Sequence, residues 1–135
     1  MRTLFFPVLL IVLVSCGGSS SVISKQLSGS DSLVINFNTP QTNTIGKTMN
    51  TTEKTAIKKL ANYVDSKTAT TNECGYDGNL VFYKQGVVTG DLAFNYSTDS
   101  CHHFMMLEEG KLTPTVMSSE AADFLKSLSE GRPFY

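Results

Sequence analysis

Cys101-His102-His103 is the triplet whose residue types could do chemistry, because thiolate sulfur and imidazole nitrogen are favoured ligands of zinc and copper. Its setting works against a shared ion. Cys101 to Leu107 reads as a strand, and neighbours on a strand point to opposite faces, so His102 and His103 are expected to diverge, one inward and one exposed. A Cys–His catalytic pair would need a reduced thiol and a base reaching it from elsewhere, yet the two histidines of the chain both adjoin Cys101. Met105, Met106 and Met117 could offer soft sulfur, but Met routinely fills cores and adjacent strand positions diverge. Glu108 and Glu109 sit beside Gly110 and Lys111 and read as a solvated turn rather than a carboxylate pair. No Gly-x-Ser-x-Gly elbow and no Gly-rich loop opening a helix is present. Asn50-Thr51-Thr52 and Asn95-Tyr96-Ser97 fit the glycosylation pattern, but a helix cap and a strand account for them. The expectation is no catalytic set, no metal site and no cofactor.

The third cysteine, Cys16, has a different setting. Arg2 is followed by an apolar run from Leu4 to Val14, eleven residues, against roughly 20 for a membrane-spanning helix. The run therefore reads as a secretory signal. Cleavage before Cys16 would put Leu13 where an ordinary signal site wants a small residue. The stretch Leu13-Val14-Ser15-Cys16 instead resembles the lipobox of bacterial lipoproteins: aliphatic, permissive, small, Cys. The resemblance covers this segment alone. It implies removal of residues 1–15, diacylglycerol on the Cys16 thiol and acylation of the new amino group. Two or three acyl chains then make membrane attachment long-lived, since each buried methylene contributes about 0.8 kcal/mol and one chain alone holds marginally. Gly17 rather than Asp follows the Cys, which in that family's sorting rule implies the outer membrane.

From Gly17 to Ser32, ten of sixteen residues are Ser or Gly. Such a stretch buries too little apolar surface to offset its ordering entropy. Residues 16–32 are accordingly expected to form a lipidated, flexible tether, and residues 33–135 a single domain. Without Arg2 the chain has ten Lys plus Arg against twelve Asp plus Glu, with no basic block, so no footprint for nucleic acid is expected. Arg132 is the one arginine left, which argues against a bidentate phosphate or carboxylate clamp.

With Cys16 committed to lipid, Cys74 and Cys101 remain in an oxidising compartment, where a disulfide between them is the simplest reading. Closing a loop of about 28 residues would contribute roughly 3 to 3.5 kcal/mol by chain entropy. Two free thiols or a thiolate metal site are the alternatives.

The elements that must position these residues follow from period and punctuation. Leu33, Ile35 and Phe37 alternate within Ser32–Asn38, a strand with one buried face, ended by Pro40. Residues 39–50, rich in Thr and Asn, read as a loop. Asn50 with Glu53 then makes a capping box for a helix of about 51–67, whose apolar stripe is Ile57, Leu60, Ala61 and Val64. Asn79–Lys84 and Val87–Tyr96, joined by Gln85-Gly86, read as a hairpin. The strand from Cys101 follows, then Leu112–Val116, an edge because Pro114 cannot donate to a ladder. Ser118 or Ser119 caps a last helix carrying Ala121, Phe124, Leu125 and Leu128, closed by Gly131 and Pro133. The fold class is thus α+β: an antiparallel sheet of four to five strands with two helices packed on one face, in the order β-α-β-β-β-(β)-α. In such a meander Cys74 and Cys101 fall at the same end of the sheet.

A loop pinned by a cross-link presents side chains at low entropic cost, so Tyr76, Asp77, Asn79, Asp99 and His102 form the expected binding surface. Function is expected to be that of a non-catalytic envelope lipoprotein, held to the bilayer through acylated Cys16, that binds or inhibits another envelope protein. The layout resembles small lipoprotein inhibitors of lysozymes in its lipobox and Cys pair, while the two helices depart from their all-β pattern. The alternative is an envelope protein that binds metal or a small ligand through His102 and His103.

Overall fold

The computed structural model describes residues 22–64, 69, 74–108 and 110–133. The signal (1–15), the lipobox with Cys16, and the first part of the expected tether lie outside these residues, as do Asp65 to Lys67 and Glu109.

Six antiparallel strands form one sheet in the order β2-β1-β3-β4-β5-β6. They are β1 (Ser32–Asn38), β2 (Ile45–Thr51), β3 (Gly78–Lys84), β4 (Val87–Asn95), β5 (His103–Glu108) and β6 (Lys111–Val116). Among the described residues three helices accompany them, α1 (Val22–Ser28), α2 (Lys54–Tyr63) and α3 (Ser119–Ser129), with one 3-10 turn at Asp99–Cys101. The α+β class and the antiparallel sheet agree with the sequence reading, and among the described residues there are six strands and three helices, against four to five and two expected. Among the described residues no helix is long and apolar enough to cross a membrane.

Alternation builds the core. Leu33, Ile35 and Phe37 of β1 are buried, and the register sets them beside Leu80 and Phe82 of β3, then Leu92 and Phe94 of β4, then Phe104 and Met106 of β5. On this face lie Ile57, Leu60 and Ala61 of α2 and Ala121, Leu125 and Leu128 of α3. Gly78 sits where strands approach most closely: a Cβ there would meet the Asn36 carbonyl oxygen and fall 2.7 Å from Phe94 Cζ. Gln85 and Gly86 both have positive φ, 50° and 77°, the two-residue turn whose twist matches a hairpin.

Three expectations are corrected. Residues 22–32 are not a flexible leash: Val22–Ser28 is helical, and Leu27 is 1% exposed within the core. Leu27 and half-buried Ile23, four apart on one helical face, outweigh the serines around them. Buried Ser24 donates to Asn62 Oδ1 of α2 at 3.2 Å. Residues 45–50, expected as loop, and Thr51, expected as the start of the helix, form β2, paired with β1 from Leu33↔Thr51 to Asn38↔Ile45. The capping box at Asn50 does not form, because Asn50 belongs to β2. Helix α2 starts at Lys54, with Glu53 at its N-cap making no side-chain bond, and ends at Tyr63. Thr51 Oγ1 instead accepts from the Glu53 N–H at 3.1 Å.

The last helix matches its expected start. Ser118 accepts from the Ala121 N–H at 3.1 Å. At its other end Lys47 Nζ donates to the carbonyls of Leu128 and Ser129 at 2.7 and 3.3 Å, putting a cation on the negative end of the helix dipole. Pro114 lies on β6, the outermost strand, where the ladder does not need its missing N–H.

Candidate functional site

At the sheet end where β1 and β4 finish, Cys74 and Cys101 are at disulfide-bonding distance, their Cα atoms 6.0 Å apart. Residues 74–77 are tied down from several sides. Asn95 Nδ2 donates to the Gly75 carbonyl at 2.6 Å, Asn38 Nδ2 donates to the Tyr76 carbonyl at 3.1 Å, and the Asp77 N–H donates to the Phe94 carbonyl at 2.8 Å. The Asp77 carboxylate accepts from the N–H groups of Tyr96 and Ser97, at 2.7 and 2.8 Å, and from the Ser97 hydroxyl at 2.8 Å. Its acceptor capacity serves the β4 turn, so Asp77 holds the scaffold rather than offering a free charge.

Two hollows flank the cysteine pair. One, of about 290 Å³, is lined by Gln41 to Asn43, Gly75 to Asp77, Asn95, Ser97 and Thr98. The other, of about 380 Å³, is lined by Ala69, Asp99 to His103, Val116 and Met117. Cys101 ends the 3-10 turn and β5 begins at His103, so His102 lies outside the strand alternation; both residues line one hollow, His103 buried and His102 half-buried.

His103 is 4% exposed, its ring edge-on to Tyr76 with centroids 6.2 Å apart. Burial holds its pKa below the ordinary value of 6.5, partly offset by the backbone of Cys101. Three buried side-chain polar atoms lack a hydrogen-bond partner among the described residues: His102 Nε2, His103 Nε2 and Thr115 Oγ1. Two of the three line this hollow. A buried unpaired nitrogen costs about 1–3 kcal/mol, so such atoms mark places where a ligand or water gains most by binding. Asp99 is fully exposed at the rim, Oδ1 3.7 Å from His102 Nε2.

Of the expected surface, Tyr76 and Asp77 line the smaller hollow and Asp99 and His102 the larger. Asn79 belongs elsewhere, on the sheet face away from the helices, in a row crossing four strands. Thr48 Oγ1 donates to Asn36 Oδ1, Asn36 Nδ2 to Asn79 Oδ1, and Asn79 Nδ2 to Asp91 Oδ1, at 2.9, 3.0 and 2.8 Å. His103, expected only as a strand residue or as half of the alternative metal site, and Asn95 were not part of the expected binding surface. Both sit on the non-helical face yet are buried, and two polar side chains paired across β4 and β5 were the available signal.

A third hollow, of about 740 Å³, lies between the end of α1 and the start of α2, lined by Ser28 to Asp31, Lys54, Thr55, Lys58 and Asn62. It is the larger space, but none of the three unpartnered buried atoms faces it, so the histidine hollow is the better candidate. Among the described residues no group of three His, Cys, Asp or Glu side chains is gathered for a metal ion. Neither imidazole Nε2 is bonded to a hydroxyl or thiol there, the contact that would activate a nucleophile.

Fold and site together define a two-layer α+β domain with a cross-linked, polar end. Compared with known protein families, with curated proteins and with solved structures, the chain matches none.

Proposed function

We propose that this chain is a lipid-anchored protein of a bacterial envelope, sorted to the outer membrane, whose domain binds another envelope protein through the cysteine-bearing end and performs no catalysis of its own. The observation that carries the reading is the pairing of two hollows around Cys74 and Cys101, their walls fixed by Asn38, Asn95 and Asp77, with unsatisfied imidazole nitrogens in one of them. A surface already rigid before contact loses little entropy on binding. Leu13-Val14-Ser15-Cys16 supports the anchor, and a disulfide between Cys74 and Cys101 suits an oxidising compartment.

Site-specific photo-crosslinking in cells of the native host tests it. A photoreactive residue at position 99 or 76 is expected to give a discrete protein adduct, and one at exposed Lys126 on α3 to give none. No adduct from 76, 99 or 102 would sink the binding reading. Intact mass of the membrane-extracted protein reads the anchor separately, as diacylglycerol on Cys16 and loss of residues 1–15.

A second reading has its own support. His102 and His103 share a hollow and both keep Nε2 unpaired, so zinc or copper could take two imidazoles and recruit Asp99 from the rim. Calorimetric titration with each metal distinguishes the two: micromolar binding lost in both His102→Ala and His103→Ala favours the metal, and its absence in the unmodified chain dismisses it.

A further inference from the structure

Among the described residues the exposed large apolar side chains sit at the two ends of the sheet, Val116, 39% exposed and paired with His103, at the cysteine end. Val87 and Val88, 67% and 50% exposed, form the tip of the β3–β4 hairpin, beside Lys84. Ile45, 55% exposed, lies at the opposite end, where Asn38 finishes β1. The two ends differ in where the N-terminal chain is held: at the hairpin end, away from the cysteine pair.

Helix α1 is fastened to the hairpin end. Gln26 Nε2 donates to the Thr89 carbonyl at 3.2 Å, Ser30 and Thr89 hydroxyls lie 2.7 Å apart, and Leu27 fills the space over Gly90. The Gln85 N–H in the turn donates to Asp31 Oδ2 at 2.7 Å, closing the same corner. From Gln26 back to Cys16 there are four residues of helix and six of preceding chain, which span at most about 6 Å and 20 Å. An anchor on Cys16 therefore holds Thr89, and the tip two residues away, within about 30 Å of the lipid, and lets them touch it.

We infer that the domain stands end-on upon the bilayer, with Val87 and Val88 of the hairpin tip inserted at the headgroup boundary and the cysteine end facing away. The inference rests on the lipoprotein reading and adds an orientation to it. Lys84 beside the tip and Lys25 on α1 meet anionic headgroups, while two valines supply the apolar contact that orients without anchoring. Along β4, Asn95 lies about 25 Å from Val87, so the two hollows at Cys74 and Cys101 open toward the envelope space rather than the membrane.

The chain contains no tryptophan, so a single introduced indole reports its own surroundings. Full-length, acylated Val87→Trp and Ile45→Trp are reconstituted in vesicles of phosphatidylethanolamine and phosphatidylglycerol, with and without brominated phospholipid. Val87→Trp is expected to emit blue-shifted and to lose most of its intensity to bromine, and Ile45→Trp to emit as in water and keep it. Val88→Trp serves as the second reporter should the first variant fold poorly. Equal quenching at both ends, or none at the hairpin, overturns the orientation while floating, acylated protein leaves the anchor standing. A chain that neither carries diacylglycerol by mass nor floats with the vesicles removes the anchor, and the orientation with it.

Discussion

Leu27 packs over Gly90, occupying the space a Cβ at Gly90 would need, and so joins α1 to β4. The contact makes the first helix part of the core rather than part of a tether. Leu27→Ala is expected to cost about 3 kcal/mol through lost burial and the cavity left behind. Gly90→Ala, which forces Leu27 aside, is expected to cost about 1–2 kcal/mol. Urea unfolding reads both, and amide exchange should show residues 23–28 losing protection in each variant while β1 and β3 keep theirs.

Cys74 and Cys101 are 27 residues apart in sequence with Cα atoms 6.0 Å apart, geometry that a disulfide spans without moving the backbone. Replacing both by Ala is expected to lower stability by about 3 kcal/mol, or roughly 10–20 °C in Tm for a domain of this size. The mass of the native chain should rise by two hydrogens on reduction. A mass unchanged by reductant would show the thiols to be free.

How much of this was legible follows from where the physics is local. Leu33, Ile35 and Phe37 alternate because one face of β1 is buried, and Ser118 caps α3 through its own backbone, so both could be read from neighbouring residues. The cysteine pair was legible because Cys74 and Cys101 are the two left once Cys16 is assigned to lipid, and a meander places them at one end of the sheet. Strand β2 was not: at the sheet edge it pairs on one side only, and Gly46, Lys47, Thr48 and Asn50 meet too little of the core to leave an apolar period. Helix α1 was hidden for a related reason, since Leu27 and Ile23 supply its apolar contact inside a Ser-rich run. The histidine hollow depended on a 3-10 turn that shifts His102 out of strand alternation, which no pattern of residue types announces.

Lys47 shows what the unread strand contributes. Its ammonium reaches the last carbonyls of α3, Leu128 O at 2.7 Å and Ser129 O at 3.3 Å, and lies 6.0 Å from the centre of the Phe37 ring. Lys47→Met keeps the stem and removes the donor. A loss of about 1 kcal/mol is expected, with fraying confined to the last turn of α3 in amide exchange. An unchanged midpoint would show that water caps those carbonyls equally well.

His103 gives the domain a pH dependence of definite sign. Burial lowers its folded-state pKa below 6.5, so the unfolded chain binds the proton more readily. The stability of the neutral, buried ring is complete above 6.5, declines as pH falls through the interval down to the lowered value, and then levels off. Between about pH 7.5 and 5, wild type should lose more stability than His103→Gln, which cannot titrate. The difference between the two urea curves isolates this residue from the carboxylates, and parallel pH profiles would refute the assignment.

Asp77 and Asp99 both border the candidate surface, yet they differ in what they hold. Asp77 accepts three hydrogen bonds from Tyr96 and Ser97, whereas Asp99 is fully exposed and approaches only the His102 ring, at 3.7 Å, among the described residues. Asp77→Ala leaves three donors without their acceptor and is expected to cost about 2–3 kcal/mol. It should also loosen the turn after β4 and weaken any crosslink formed from position 76. Asp99→Ala should leave the unfolding midpoint unchanged while weakening that crosslink if the carboxylate touches the partner. The contrast separates scaffold from contact: a stability loss in the second variant, or none in the first, would mean that the carboxylates have been assigned the wrong way round.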